Sequence, residues 1–347
     1  TTTQVQNVYW DLVSAAEDVK VRERSLTVAE KLYNDNKRQV EIGTLAPIEI
    51  VRAEAEVART RQDQIVAETL LLQLETQLKH MVLRNLSDPV LSVARLVPTD
   101  RITVPPVEPV VPIQELVGTA LSARPELAQS RINMRNLDIS IKAVKNAMLP
   151  AVDAFAYWGG QGTAGLVNPA RPGSRIPDTL SGGLGTALAQ SFGSDFPDYA
   201  FGLQISIPIK NRAAQAEAAQ AQVEERQAQL RLRQLENTVR VEVQNALIAL
   251  QQNRARLEAA QKAREFQERT LDAEQKKFQL GASTIYLVIQ SQRDLTGAQS
   301  GEVKALGDYM KSRVELDRAT GLTITKNGIV LDEAYKGQIT RPPQVLP

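Results

Sequence analysis

Apolar positions keep a helical period over most of this chain and switch to a period of two only once. In residues 1–42, Val5, Val8, Leu12 and Val19 share one stripe among polar positions, which predicts a long helix with one buried face. Gly43-Thr44-Leu45-Ala46-Pro47 breaks it. Gly43 suits a C-terminal cap and Pro47 the first turn of the next helix. Ile50, Val57, Leu71, Leu74, Leu78 and Met81 carry that second helix to about Leu86. Pro89, Pro98, Pro105, Pro106, Pro109 and Pro112 favour extended backbone over 87–112, a linker or surface strap. Helix resumes at about 113–123 and again from Pro125 to Leu149, with Arg124-Pro125-Glu126 reading as a helix start.

The period then changes. Tyr199, Phe201, Leu203, Ile205, Ile207 and Ile209 alternate with Ala200, Gly202, Gln204, Ser206 and Pro208. This predicts a strand of about 11 residues with one apolar and one small or polar face, the length and dyad pattern of a membrane β-strand. Its expected partner is 151–160, with Tyr157 and Trp158 near one end. The segment between them is rich in Gly, Ser, Pro and Asn, as at Asn168-Pro169 and Gly182-Gly183, and reads as a long loop. Such loops are uncommon in compact domains but normal outside outer-membrane barrels. From Asn211 to about Leu280 nothing breaks the helical pattern, so one helix of roughly 105 Å is predicted at about 1.5 Å per residue. Its stripe is Leu232, Leu235, Val239, Val243, Ala246, Leu250, Leu257 and Ala260, at a coiled-coil-like spacing. Ala214, Ala218 and Ala221 allow close helix approach. A helix this long and polar needs neighbours along its stripe. After Gly281-Ala282-Ser283-Thr284 a helix returns from Ile285 to about Gly321, and 322–347, ending in Arg341-Pro342-Pro343 and a few more residues, reads as a poorly ordered tail.

The helical pattern is written twice. Shifted by 238 positions without gaps (281 − 43), Val5-Gln6-Asn7 lies on Val243-Gln244-Asn245, Leu12 on Leu250, Glu30 on Glu268 and Gly43 on Gly281. Conservative pairs such as Lys31/Arg269, Ile42/Leu280 and Ile50/Val288 fill in between. A repeat of this length is one helix–turn–helix unit duplicated, which makes Gly43 and Gly281 equivalent tips.

Composition removes other classes. Lys and Arg total 41 against 40 Asp and Glu, for a net charge of +1, which gives no electrostatic case for nucleic acid. Cysteine is absent, so there is neither a disulfide frame nor a thiolate metal site. No run of 18 apolar residues encodes a transmembrane helix, and no signal-peptide pattern opens the chain. The one histidine, His80, lies near a helix end with Lys79 and Arg84, where a cation suits the helix dipole. No nucleophile–base set, phosphate loop or metal cluster is present, and the carboxylates are interleaved with Lys and Arg as on a solvated helix face. Gly159-Gly160-Gln161-Gly162 is followed by no helix and is not a nucleotide fingerprint. No catalytic residue, cofactor or metal is expected.

Two helix–turn–helix copies, a strand pair leading into a very long helix, and Gly43-Thr44-Leu45 and Gly281-Ala282-Ser283 at the tips resemble the TolC family of outer-membrane efflux proteins. Ala123-Arg-Pro-Glu-Leu127, Met148-Leu-Pro150, Gly202-Leu-Gln-Ile-Ser-Ile-Pro208 and Phe278-Gln-Leu-Gly281 carry the match over most of 1–321. The resemblance implies a mainly α fold of long antiparallel coiled-coil hairpins in two repeats, an α-barrel, with one β-strand pair belonging to an outer-membrane β-barrel. The expected segments are a first-repeat hairpin (1–86), a strap with equatorial helices (87–149), the strand pair with its long extracellular loop (150–209), the second-repeat hairpin (210–321) and a tail (322–347). It further implies a homotrimeric passive duct of a tripartite efflux or type I secretion system, in the outer membrane and extending into the periplasm. Partners are a periplasmic adaptor (a membrane fusion protein), an inner-membrane transporter and outer-membrane lipid. No feature sorts drug, metal or protein cargo, and in such a system the pump selects.

Site residues follow from the same resemblance. Gly43, Thr44, Leu45, Gly281, Ala282 and Ser283 resemble adaptor-docking knobs, against a plainer reading of the glycines as punctuation. Glu49 matches an acidic position that rings the closed pore, whereas the second copy has Leu287, and Gln290 where a further acid is usual. Leu287 then either closes the pore by apolar contact or is packing core, with Gln290 on a solvated face. Tyr199, Phe201, Leu203, Ile205 and Ile207 are expected to face lipid. Thr1 aligns with Val239, inside the second long helix, so the first copy is expected to lack roughly 28 helical residues (239 − 211) and a strand pair. The chain is therefore expected to be an N-terminal truncation, with an orphan hairpin because two strands per protomer give only six in a trimer, below the eight of the smallest barrels. The competing class is a soluble periplasmic coiled-coil adaptor or a structural interaction protein, separated by whether 199–209 faces lipid or packs on a helix.

Overall fold

The computed structural model describes residues 2–83, 94–100, 104–105, 111–166, 170 and 177–336. Its elements run α1 (Thr2–Glu41), α2 (Ile48–Val82), α3 (Ile113–Ala123), α4 (Pro125–Asn146), β1 (Ala151–Gln161), α5 (Leu184–Gly193), β2 (Phe196–Ser206), α6 (Arg212–Gln279), α7 (Ile285–Thr320), α8 (Thr323–Lys326) and α9 (Leu331–Lys336), with a 3₁₀ turn at Asp178–Leu180. The fold is mainly α, as the period of the apolar positions requires. Two compact units are present, Thr1–Gln129 with Leu232–Pro347, and Ser130–Arg231, so the boundaries fall within α4 and α6.

In the first unit the stripes meet as antiparallel seams. Val8 and Leu12 of α1 pack on Leu78 of α2, flanked by Tyr9, Leu71 and Leu74. Leu250 and Leu257 of α6 pack on Ala305 and Tyr309 of α7, and nearer the turn Leu271 meets Val288 and Leu295. Ala120 and Leu127, Val239, Val243 and Ala246, and Ala319 form a fourth cluster. Arg124, in the turn between α3 and α4, holds Glu126 and Glu242, each at 2.7 Å. The two hairpins are also joined to each other. A Cβ at Gly307 would lie 2.2 Å from the Ser14 hydroxyl, so α7 and α1 approach closely there. Lys311 pairs with Asp11 at 2.8 Å, and Ser25 and Thr296 share a buried hydrogen bond of 3.0 Å.

The strap is docked where it is described. Tyr9 donates to Asp100 at 2.6 Å, the Leu96 N–H to Glu75 at 2.9 Å, and Arg254 to the Pro105 carbonyl at 3.2 Å. Burial, with the Asp100 bond second, pushes the Tyr9 phenol up to about 12.

In the second unit β1 and β2 pair antiparallel, from Ala151↔Ser206 to Gln161↔Phe196. Three expectations need correction. The strand has the expected length but ends at Ser206, so Ile207 lies beyond it. Pro208 has no N–H to donate, and Pro150 precedes the last partner, Ala151. The loop between the strands is not structureless, because it carries the 3₁₀ turn and α5. The tail begins with α8 and α9 instead of losing order at 322, while 337–347 lie outside the described residues. Helix α2 ends at Val82, with Leu83 extended, and the stretch to Leu86 is likewise outside them.

Candidate functional site

Both tips are built by the same backbone device. Gly43 and Gly281 adopt φ of 79° and 75°, in the left-handed region that glycine enters without penalty. In the first tip the Gly43 N–H bonds the Val40 carbonyl at 3.0 Å and the Thr44 N–H bonds that of Gln39 at 2.9 Å. In the second, Gly281 bonds Phe278 at 2.9 Å and Ala282 bonds Lys277 at 2.8 Å. This is the paired pattern of a Schellman cap, repeated at equivalent positions of the duplication. The Thr44 hydroxyl adds a second bond to the Gln39 carbonyl at 2.9 Å. Pro47 and Thr284 then precede the returning helices.

Side chains diverge around that shared turn. Leu45 is half-buried, whereas Ser283 donates to Glu274 at 2.7 Å. Glu274 also takes Lys277 at 2.6 Å, and the Lys277 and Ser283 bonds hold its carboxyl below the usual value. The residues before the glycines, Ile42 and Leu280, are 72% and 84% exposed. Stripe reasoning assigns apolar helix residues to cores and so passes over them. Their signal was the Ile42/Leu280 pairing across the repeat.

The residues expected at a constriction do not all behave alike. Glu49 accepts from Arg52 at 3.2 Å, while its other oxygen is buried without a hydrogen-bond partner among the described residues. Leu287 is 45% exposed, so it is not packing core within this chain; Ile285, Val288 and Ile289 fill that role. Gln290 donates to Asp294 at 3.0 Å, which puts a carboxylate one turn beyond the position where the sequence reading expected none. Nearby, Arg293 of α7 donates to the buried Glu56 of α2 at 2.9 Å. A cleft of about 360 Å³ between the hairpins is lined by Asn36, Glu56, Gln275, Phe278 and Val288. Asn36 is 1% exposed, and its amide has no partner among the described residues.

The strand pair has two chemically distinct faces. Opposed residues share a face, and alternation puts Val152, Ala154, Ala156 and Trp158 with Tyr199, Phe201, Leu203 and Ile205. Tyr199, Phe201, Leu203 and Ile205 are 64–86% exposed. The other face carries Asp153, Gln161, Asp198, Gln204 and Ser206 with Phe155 and Tyr157. Gln161 donates to Asp198 at 3.2 Å, and the Phe155 ring lies where a Cβ at Gly202 would be, 2.8 Å away.

Among the described residues no helix is long and apolar enough to cross a membrane, and no group of His, Asp and Glu side chains is placed to hold a metal. His80 is exposed in the last turn of α2.

The family model described as outer membrane efflux protein matches residues 116–322, more than half of the chain. No curated protein sequence matches it. Among solved structures, the outer membrane protein VceC of Vibrio cholerae is similar at 16% identity and a TM-score of 0.69, over 92% of this chain and 69% of that one. The CmeC outer membrane channel of Campylobacter jejuni is similar at 16% identity and a TM-score of 0.65, over 97% of this chain and 66% of that one. The open-state MtrE outer membrane channel of Neisseria gonorrhoeae is similar at 19% identity and a TM-score of 0.66, over 92% and 66%. The chain thus spans about two thirds of the length of these channels, and at such identities the likeness is one of fold.

Proposed function

The chain belongs to the outer membrane efflux protein family, and on that premise we propose that it forms the wall of a passive exit duct across the periplasm and outer membrane. The duct is a homotrimer, served by a periplasmic adaptor and an inner-membrane transporter of a tripartite efflux or type I secretion system. The observation that carries this reading is the exposed apolar face of the hairpin, Tyr199 to Ile205, backed by a mixed face with Asp153, Asp198, Gln204 and Ser206 on the same two strands. In water such a face is costly, at about 25 cal/mol per Å² of apolar surface, and in a barrel it meets lipid. A soluble adaptor would bury it on a helix.

The tips are the adaptor-docking surface in this reading. Ile42 and Leu280 join Gly43, Thr44, Leu45, Gly281, Ala282 and Ser283 as its apolar knobs, supported by their exposure at equivalent sites. Glu49, Leu287 and Gln290 line the narrow end. The exposure of Leu287 supports closure by apolar contact and dewetting. The full-length protein should be a trimer that stays dispersed only in detergent or lipid. A monodisperse species in plain buffer would overturn the reading. In that trimer Leu287→Ser should raise the open probability of single channels, and an unchanged conductance record removes Leu287 from the constriction.

A further inference from the structure

We propose that α5 is a membrane-interface helix whose Leu184–Leu188–Phe192 stripe inserts into the outer leaflet around the hairpin. The proposal rests on the exit-duct reading, which puts the apolar face of β1 and β2 against lipid. Leu184, Leu188 and Phe192 fall at i, i+4 and i+8, so they share one side of the helix. They are 78%, 48% and 87% exposed. No residue of α5 is charged.

An adjoining side of α5 is already committed. A Cβ at Gly160 would lie 1.9 Å from the Ser191 carbonyl oxygen, and one at Gly162 only 1.7 Å from that of Ala187. Only glycine lets the helix backbone come that close to the strand end. Gln190, 4% exposed, accepts the Thr163 N–H at 2.9 Å. The helix is pinned on this side, so the direction of its apolar stripe is fixed by backbone packing.

Strand alternation then says which face it is pinned to. Gly160 is two residues from Trp158 and pairs with Pro197, itself two residues from Tyr199. Helix α5 therefore sits on the Trp158, Tyr199, Phe201, Leu203 and Ile205 face, about 7 Å beyond the Trp158–Tyr199 row at about 3.3 Å per residue. Rows of Trp and Tyr mark the headgroup level of membrane barrels. An uncharged apolar stripe one step past such a row, continuous with a lipid-facing surface, matches lipid as its occupant. The polar side of an ordinary interfacial helix is replaced here by the glycine-lined contact with the hairpin. The helix would fix how deep the barrel sits.

The test uses the full-length trimer in lipid nanodiscs, with nitroxide labels at Leu184→Cys, Phe192→Cys and, as reference, Phe201→Cys, each as the only cysteine. Collisions with oxygen and with a water-soluble nickel chelate give depth. Both α5 labels should favour oxygen over nickel and lie at about the headgroup level set by the Trp158–Tyr199 row, with the reference label deeper. If the reference favours oxygen while the α5 labels favour nickel, the helix faces water and the inference fails with the duct intact. Shielding of the α5 labels from both reagents means a neighbouring protomer covers them, which also overturns it. A reference label that favours nickel sinks the exit-duct reading itself.

Discussion

The two hairpin tips share a backbone but not the side chains packed around it. Three positions that surround the turn, Asn36, Gln39 and Leu45, become Glu274, Lys277 and Ser283 after the shift of 238 (274 − 36). In the second tip these three side chains form a hydrogen-bonded set that ties the loop back to α6. In the first, Asn36 is buried without a partner among the described residues, and Leu45 is an apolar side chain. The turn is thus specified by glycine and main-chain bonds alone, which leaves side chains free to diverge. At these three positions one tip has neutral side chains and the other an ion pair with a hydroxyl, on the same scaffold.

The comparison can be broken most strongly at the exposed knobs. Leu280→Glu and Ile42→Glu should each weaken adaptor binding by at least about thirtyfold, the size of an interface hot spot, with trimerisation unchanged. Pull-down with the adaptor reads this, and a loss at only one tip would mean that only one docks. Next come the glycines. Gly43→Ala and Gly281→Ala should each cost about 1–2 kcal/mol, because a Cβ there meets no atom within 4 Å and only the left-handed backbone is penalised. Thermal melts should show equal losses, and unequal ones would credit the side-chain set with holding the second turn. A smaller effect of opposite sign is expected at Asn36. Asn36→Leu should stabilise by about 1 kcal/mol by removing an unpaired buried amide, whereas Glu274→Leu should not stabilise. A destabilised Asn36→Leu would show that the amide is satisfied. The smallest effect is pH-dependent. The Glu274 carboxyl is held below its usual value, so its links are intact above that value and are lost as pH falls through the depressed one. Spin-label mobility at Ala282→Cys should rise on such acidification, while Thr44→Cys stays unchanged and Glu274→Gln abolishes the response.

Much of this fold was legible because it repeats. The duplication located both turns, and a single switch of period located β2 and pointed to β1. What escaped has physical reasons. The end of β2 depends on which residue of β1 remains to pair, so Ile207 reads like its neighbours in sequence and falls outside the ladder. Helix α5 hides in glycine-rich composition, although Leu184, Leu188 and Phe192 keep a helical spacing. Asp294 escaped because the acid was sought at one position, whereas a helix turn brings i+4 beside i. The Arg293–Glu56 contact joins residues from the two copies, and no local pattern in either announces it.

The docked strap has a consequence for how the hairpins stay together. Joined through residues 83–211, of which Ala120 and Leu127 pack on α6 and α7, they meet as parts of one molecule, at an effective concentration set by the tether. The contacts between α1 and α7, namely Gly307 against Ser14, Lys311 with Asp11 and Ser25 with Thr296, therefore need not be strong enough to recruit a free partner. A single proteolytic cut between 94 and 100 would leave every one of those contacts in place, yet make the assembly reversible by dilution.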